Sequence, residues 1–285
     1  MQSIKRNGQY CMMQQEKDGV SYLTFPAFSE SGIVNHLFST RVGGVSEGIF
    51  SSMNLSFTRG DKEEAVLENY RRIANVLDCT LDDFVCSDQT HTTNIRLVTG
   101  MDKGKGVIKP KDYTDIDGLI TNEEGIMLAT FYADCVPLYF VDMVNKAIGL
   151  AHSGWKGTVK RMGREMIMAM GNAFGTKPEN LLVAIGPSIC QECYEISLDV
   201  AEQFMKAFPD ETVQKEILYE TIPGEKYHLN LQRANAIIFE ECGILKEHIS
   251  VTDICTCCNP EYLFSHRASN GRRGNLAAFL GLRKY

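Results

Sequence analysis

The sequence contains no long apolar segment and no recognisable export signal. No run of eighteen apolar residues occurs in its 285 residues, so a membrane-spanning helix is not expected. The first segment, MQSIKRNGQYCMMQQEKDGV, lacks the apolar stretch and small-residue cleavage site of a signal peptide. We therefore expect a cytoplasmic protein that does not act at a membrane. Its ten cysteines are then expected to be reduced thiols.

Cationic tracts are also missing. The 29 lysine and arginine residues are scattered, and 36 aspartate and glutamate residues outnumber them, giving a net charge of −7. A nucleic-acid-binding protein usually concentrates positive charge on one face or in one tail. The sequence therefore predicts no nucleic-acid partner, and none of its features indicates an oligomeric state.

The hydrophobic residues, 44% of the chain, fall into short segments with two patterns. Short runs rich in β-branched and aromatic residues predict strands over Val20–Phe25, Asn35–Thr40, Ile126–Tyr132, Pro137–Asp142, Ala147–Ala151, Leu181–Ile185, His248–Val251, Tyr262–Phe264 and Leu276–Gly281. Apolar residues that recur every three or four positions predict helices over Asp61–Leu77, Lys156–Phe174, Ser197–Phe208 and Leu229–Cys242.

Two of the predicted strands are close enough in sequence to form a hairpin. The strands at 137–142 and 147–151 would turn at Val144–Lys146, and such an antiparallel pair favours a mixed sheet over a purely parallel one. We predict an α/β (α+β) fold in which mixed β-sheets are flanked by helices, with residues 1–285 forming a single domain.

A cysteine and a histidine stand at the ends of this hairpin. In ADCVPLYFVDMVNKAIGLAHSGWKGT, Cys135 precedes the first strand and His152 follows the second, with the turn about midway between them. The hairpin would bring both side chains to one sheet edge. A thiol and an imidazole that meet can act as nucleophile and base, or they can bind a metal ion together.

His91 is a third candidate, in the polar segment CSDQTHTTNI. Two histidines and one thiolate would leave a fourth coordination position for water or substrate, as in catalytic zinc sites. The same residues could also be a core cysteine and two hydrogen-bonded histidines. The residues alone leave these alternatives open.

Several longer segments resemble one known family. In chain order they are STRVGGVSEG, NLSFTRGD with ENYRRI, SDQTHTTNI, TDIDGLIT, ADCVPLYFVD, AHSGWKGT, AIGPSICQECYEI and FSHR. Over about residues 20–284 the chain is similar to the multicopper polyphenol oxidoreductase, or laccase-domain, family. This family includes bacterial proteins called peptidoglycan editing factor or purine nucleoside phosphorylase. The resemblance implies mixed sheets in one domain, similar to the catalytic domain of cytotoxic necrotizing factor toxins.

The resemblance also implies a site and an activity. It implies that His91, Cys135 and His152 bind zinc, for which copper could substitute. It implies a purine nucleoside phosphorylase that converts adenosine, inosine or guanosine and phosphate to the free base and ribose 1-phosphate. Cleavage of methylthioadenosine and deamination of adenosine are further activities that it implies.

Two arginines are candidates for binding phosphate. Arg41 follows a predicted strand and precedes Val42-Gly43-Gly44, so its guanidinium and the glycine N–H groups could hold an anion together. Arg59, in TRGD, is a second candidate. Arg41 could instead be a structural residue before a tight turn, and Arg59 could pair with Asp61.

Three other functions stay open. Cys135 and His152 could form the thiol–imidazole pair of an amidohydrolase, or deamidase, that edits peptidoglycan precursors. The site could bind copper and oxidise polyphenols, although six histidines without one His-X-His pair cannot ligate the four copper ions of a laccase. A closed four-ligand site would favour a non-enzymatic zinc-binding adaptor.

The chain departs from the family pattern in two places. Its extra cysteines are Cys190, Cys257 and Cys258. With Cys193 and Cys255 they form C-x-x-C and C-x-C-C, which could be a second, structural zinc site. Because the family pattern has only two of these cysteines and no second metal, buried free thiols are the favoured interpretation.

The second departure lies near the C-terminus. Asn275 stands where family members often carry an arginine, and Arg272 or Arg273 could substitute for it. Asp134, beside Cys135, is a candidate for orienting one of the histidines.

Overall fold

The computed structural model describes residues 4–8 and 10–283. The strands of these residues are β1 Met13–Lys17, β2 Val20–Thr24, β3 Val34–Ser39, β4 Phe84–Cys86, β5 Ile95–Leu97, β6 Gly118–Thr121, β7 Met127–Tyr132, β8 Val136–Asp142, β9 Ala147–Ser153, β10 Leu181–Ile185, β11 Glu195–Ser197, β12 Leu218–Ile222, β13 Lys226–Leu229, β14 Ile249–Val251 and β15 Leu276–Leu282. The α-helices are α1 Pro26–Ser31, α2 Glu63–Val76, α3 Trp155–Val159, α4 Met162–Phe174, α5 Leu198–Ala207, α6 Glu211–Ile217 and α7 Leu231–Glu241.

The strands form three sheets. The first sheet has the order β1-β2-β3-β15-β7-β4, the second β14-β10-β8-β9-β6-β5, and the third β11-β13-β12. Most neighbours are antiparallel, but the β4–β7, β10–β14 and β5–β6 pairs are parallel. The predicted class of mixed sheets flanked by helices is therefore confirmed. The likeness to the necrotizing factor domain and the single domain over residues 1–285 stay predictions.

The central strands are buried on both faces, which explains their nearly continuous apolar sequences. In β8, Leu138 and Phe140 face a core shared with α4, α5 and α7, whereas Tyr139 and Val141 face the first sheet. Strand β15 alternates in the same way, with Phe279 packing toward α2. The molecule is thus layered as helix, sheet, sheet, helix, with three apolar layers between.

Two sequence predictions of secondary structure are wrong. The segment 262–264 is not a strand, because the N–H groups of Tyr262 and Leu263 both donate to the Asn259 carbonyl, at 3.0 and 2.9 Å, in a turn. The helix predicted over 156–174 is two helices, α3 and α4. They are separated at Arg161, whose φ of 63° lies in the left-handed region.

The predicted hairpin is confirmed. Strands β8 and β9 pair from Val136↔Ser153 to Asp142↔Ala147, with the turn at 143–146. Within the described ranges, none of the helices combines the length and the apolarity needed to cross a bilayer.

Candidate metal centre and adjoining cavity

The β8–β9 hairpin brings the first two candidate residues together. Pro137 is paired with His152, so Cys135, just before β8, lies beside the end of β9. The loop between β4 and β5 adds His91, whose Nε2 lies 3.9 Å from Cys135 Sγ. One ligand atom from each of the three side chains lies within 4.8 Å of the others. The structure therefore brings together all three residues that the sequence singled out.

A fourth residue, Asp117, holds this arrangement and was not identified from the sequence. It directly precedes β6, which is antiparallel to β9, and its carboxylate Oδ1 lies 2.7 Å from His152 Nδ1. The same carboxylate accepts the backbone N–H groups of Thr90, His91 and Thr92, at 3.1, 3.2 and 2.8 Å. One buried carboxylate therefore orients one imidazole and fixes the loop that carries the other.

Asp134 does not have the orienting role predicted for it. Its carboxylate accepts the Thr256 hydroxyl at 2.6 Å and the Arg267 backbone N–H at 2.7 Å, and no hydrogen bond joins it to His91 or His152 within the described part of the chain. It anchors the loop before Cys135 instead. Asp117 was missed because the short strand that follows it, Gly-Leu-Ile-Thr, was not predicted. An aspartate directly before a strand is the signal that could have identified it.

Charges within the cluster shift three pKa values. Burial alone would raise the pKa of the Cys135 thiol, but the charge of His152 and hydrogen bonds from both histidines lower it to about 6. Burial alone would lower the pKa of His152, but the Cys135 thiolate and Asp117 raise it to about 9. Burial alone would raise the pKa of Asp117, but His152 and the backbone donors lower it to about 2. The thiolate is thus the favoured form of Cys135 near neutral pH.

The donor set fits a zinc ion. A thiolate and two imidazoles are ligands that zinc accepts, and the Asp117–His152 contact is the carboxylate–histidine arrangement that orients metal ligands. The backbone leaves room beside these atoms because residue 154 is glycine. A Cβ there would lie 2.9 Å from His91 Cδ2 and 3.1 Å from Cys135 Sγ.

A cavity of about 350 Å³ adjoins the three residues, and all three line it. Its other walls include cationic and aromatic side chains among neutral polar residues and Asp88. Cationic side chains are contributed by Arg59, Lys111 and Arg273, and aromatic surface by Phe57, Phe131 and Tyr132.

The structure separates the two arginine candidates. Arg59 is exposed and lines the cavity. Arg41 does not line it, and its guanidinium donates to the carbonyls of Ser51 and Pro260, at 2.8 and 2.7 Å, while covering the Phe264 ring. This is the structural role before a tight turn that the sequence left open for Arg41.

Arg273 is the cavity arginine that the sequence suggested only as a substitute. It is buried, donates to the side chain of Asn275, and has an Nε without a partner among the described residues. Burial and the charge of Arg59 lower its pKa to about 10. Arg272, one residue earlier, is exposed and does not line the cavity.

Comparisons with known proteins agree with the resemblance. The family model described as "Multi-copper polyphenol oxidoreductase laccase" matches residues 35–283. A Bacillus subtilis protein named purine nucleoside phosphorylase YlmD is 36% identical over 251 residues, which are 87% of this chain and 88% of the relative.

Two crystal structures are similar over nearly the whole chain. YlmD from Geobacillus stearothermophilus has a TM-score of 0.84 and 34% identity, covering 95% of this chain and 98% of its own. The hypothetical protein YfiH from Bacillus licheniformis has a TM-score of 0.87 and 32% identity, covering 93% and 98%.

Proposed function

The chain belongs to the multi-copper polyphenol oxidoreductase laccase family, and on that basis we propose that it is a zinc-dependent purine nucleoside phosphorylase. Its curated relatives carry the name purine nucleoside phosphorylase at 30–36% identity. The observation that carries the proposal is the placement of His91, Cys135 and His152 in the wall of one cavity that also holds cationic and aromatic side chains.

The proposed phosphate position lies beside Arg59 and Arg273. A guanidinium can donate two parallel hydrogen bonds to a phosphate, and the Nε of Arg273 has no partner among the described residues. Lys111 adds a third positive charge, although its ammonium group is already paired with Asp88. Arg41 has no part in this proposal, because it does not line the cavity and its Nε and Nη1 donate to backbone carbonyls elsewhere.

The aromatic side chains of the cavity suit a purine ring. Phe57 is held by stacking on Tyr70, with ring centroids 5.6 Å apart, and it faces the cavity together with Phe131. Flat apolar walls beside a cationic pocket would bind a nucleoside by its base and phosphate by its charge.

In the proposed reaction a phosphate oxygen forms a bond to C1′ of the ribose as the bond to the purine nitrogen breaks. The purine leaves with the bonding electron pair and takes up a proton. A zinc ion held by His91, Cys135 and His152 would supply positive charge that polarises an oxygen of substrate or water. The chain's own contribution is to hold the phosphate with Arg59 and Arg273, and to keep His152 oriented through Asp117.

Adenosine, inosine, guanosine and methylthioadenosine are the proposed substrates. Deamination of adenosine is a second proposed activity at the same site, because zinc sites of this type also activate water for attack on a purine ring. The copper oxidase alternative has less support, because the cluster offers two imidazoles and a three-copper centre needs several more.

A cysteine amidohydrolase is the alternative that one observation favours. As in thiol hydrolases, a thiol contacts an imidazole and a carboxylate orients that imidazole: here Cys135 contacts His152, and His152 contacts Asp117. The pKa of the thiol is also low. A thiolate bound to zinc is a poor nucleophile, so the two mechanisms exclude each other at one moment.

The deciding experiment incubates the purified protein with each nucleoside, with and without phosphate and with and without a chelator. We expect ribose 1-phosphate and free base only when phosphate is present, and loss of both products after chelation. Ammonia release from an amidated peptidoglycan precursor, added as a further substrate, would support the amidohydrolase instead if it survives chelation and is abolished by Cys135→Ser.

A further inference from the structure

Four cysteines outside the cavity converge on one point. Cys190 and Cys193 lie between β10 and β11, and Cys255 and Cys258 lie in the segment after β14. Their sulfur atoms all lie within 4.8 Å of one another. We propose that these four cysteines bind a second, structural zinc ion, separate from the site at His91, Cys135 and His152.

The spacing of the sulfur atoms suits a tetrahedral ion. With zinc–sulfur bonds of about 2.3 Å, tetrahedral geometry requires sulfur atoms about 3.8 Å apart. The Sγ atom of Cys258 lies 4.0 Å from that of Cys190 and 3.5 Å from that of Cys193. Each loop contributes a C-x-x-C pair, the commonest way for a short turn to offer two thiolates to one ion.

Backbone donors are already directed at one of the sulfur atoms. Cys255 Sγ accepts the N–H of Cys190 at 3.2 Å and the N–H of Cys258 at 3.4 Å. Such donors stabilise a negatively charged thiolate more than a neutral thiol. They would support the charge that remains on a zinc ion with four thiolate ligands.

Free cysteines are commonly buried, so it is the convergence of the four side chains, and not their burial, that argues against free thiols at this point. Cys190 is 7% exposed and Cys255 is 1% exposed. Thiols are weak hydrogen-bond donors, so four of them facing one another attract each other little. On zinc binding each thiol would lose its proton to solvent as a sulfur–zinc bond replaces a water on the ion, with no change of oxidation state. The convergence of all four therefore favours the zinc interpretation over the free thiols that the sequence analysis preferred.

A zinc ion at this site would join two loops that both contact Asp134, the residue before Cys135 in the cavity wall. Thr256 lies inside the second C-x-x-C, and its hydroxyl donates to the Asp134 carboxylate at 2.6 Å. Ile189, beside the first pair, donates its N–H to the Asp134 carbonyl at 3.0 Å. Both loops thus contact the residue that precedes Cys135. A structural ion here would fix the position of that ligand without touching it.

The chain supplies a matched control. Cys257 lies in the same turn as Cys258, but it is not one of the four converging residues. Cys257→Ser therefore makes the same chemical change one residue away from a proposed ligand. His266, which follows the second C-x-x-C by eight residues, is exposed and does not join the cluster within the described residues.

The test is zinc per chain, measured by mass spectrometry of the full-length protein purified without chelator. We expect two zinc ions in the unaltered protein and in Cys257→Ser, and one in Cys258→Ser. The double variant His91→Ala/Cys135→Ser should retain one zinc ion, which separates this site from the one proposed for catalysis. Cobalt loaded into that double variant should show the intense visible and near-ultraviolet bands of a tetrathiolate complex, so the test does not depend on how well Cys258→Ser folds.

Three results would overturn the proposal. The first is equal zinc content in Cys257→Ser and Cys258→Ser. The second is a Cys193–Cys258 disulfide in peptides mapped without reductant. The third is iron in place of zinc in the double variant.

Discussion

The carboxylate of Asp117 accepts a hydrogen bond from His152 Nδ1 at 2.7 Å and also binds the backbone N–H of His91 at 3.2 Å. Two of the three proposed zinc ligands therefore depend on one buried side chain. Donation from Nδ1 to Asp117 leaves Nε2 of His152 as the nitrogen available to a metal ion.

Asp117→Asn is expected to weaken zinc binding about 10- to 100-fold, the usual effect of losing a carboxylate that orients a metal-bound histidine. The amide keeps the shape of the side chain, but its NH₂ group cannot accept the N–H donors that the carboxylate oxygen accepts. Competition with a chromogenic chelator measures the zinc affinity, and kcat/KM for inosine should fall with it. Asp115→Asn is the matched control, because Asp115 is exposed and, among the residues that the structure describes, its side chain accepts a hydrogen bond from the Thr90 hydroxyl alone. Equal zinc affinities in the two variants would contradict the role given to Asp117.

Gly154→Ala is expected to reduce kcat/KM by about a hundredfold, because small displacements of reacting groups are costly. The new methyl group would lie 2.9 Å from His91 Cδ2, closer than carbon atoms normally pack. Gly157→Ala is the control. A Cβ at residue 157 meets nothing closer than 3.4 Å, and alanine should slightly stabilise α3. Activity and zinc content are measured in both variants, after their thermal stabilities have been shown to be equal. An active Gly154→Ala protein would show that the space beside His91 is not needed.

Arg59→Ala is expected to raise the KM for phosphate about tenfold, which corresponds to ~1.4 kcal/mol, with a smaller effect on the KM for the nucleoside. Arg59 is exposed at the cavity wall, so its loss should not unfold the protein. Arg272→Ala removes an exposed arginine outside the cavity and should leave both constants unchanged. If the two variants have the same phosphate KM, the phosphate position proposed here is wrong.

His36 is expected to make the protein less stable below neutral pH. Burial and the charge of Arg283 lower the pKa of His36 to about 3, and its Nε2 accepts the Phe25 N–H at 2.8 Å. Below the unfolded pKa of about 6.5, the unfolded chain therefore binds a proton that the folded protein excludes. The free energy of unfolding should fall by about 2 kcal/mol between pH 7 and pH 5 on this account alone.

The check is urea unfolding of the unaltered protein and of His36→Gln at both pH values. The variant has no group to titrate at this position, so its loss of stability over this interval should be smaller by that amount. Both proteins keep the same zinc ligands, so acid release of metal cancels in the comparison. Parallel pH profiles would mean that His36 does not cause the dependence.

The sequence determined the local features of this protein. Short apolar runs rich in β-branched and aromatic residues placed β8, β9 and β15 to within two residues at each end, and the short turn after Asp142 fixed the hairpin register. Because a hairpin register follows from its turn, the meeting of Cys135 and His152 could be predicted from residues only seventeen positions apart. The polar segment around His91 made it a third candidate, and only the family segments implied that it joins the other two at a metal ion.

The tertiary structure decided which distant residues meet. Asp117 reaches His152 because β6 pairs with β9, and the two C-x-x-C turns meet because β14 pairs with β10. The roles of two arginines also depended on tertiary contacts. Arg41, the expected phosphate ligand, is held by the carbonyls of Ser51 and Pro260, whereas Arg273, suggested only as a substitute for another arginine, lines the cavity. The order of strands in a sheet depends on how segments distant in sequence pack together. The apolar pattern within one segment predicts a strand but not its neighbours.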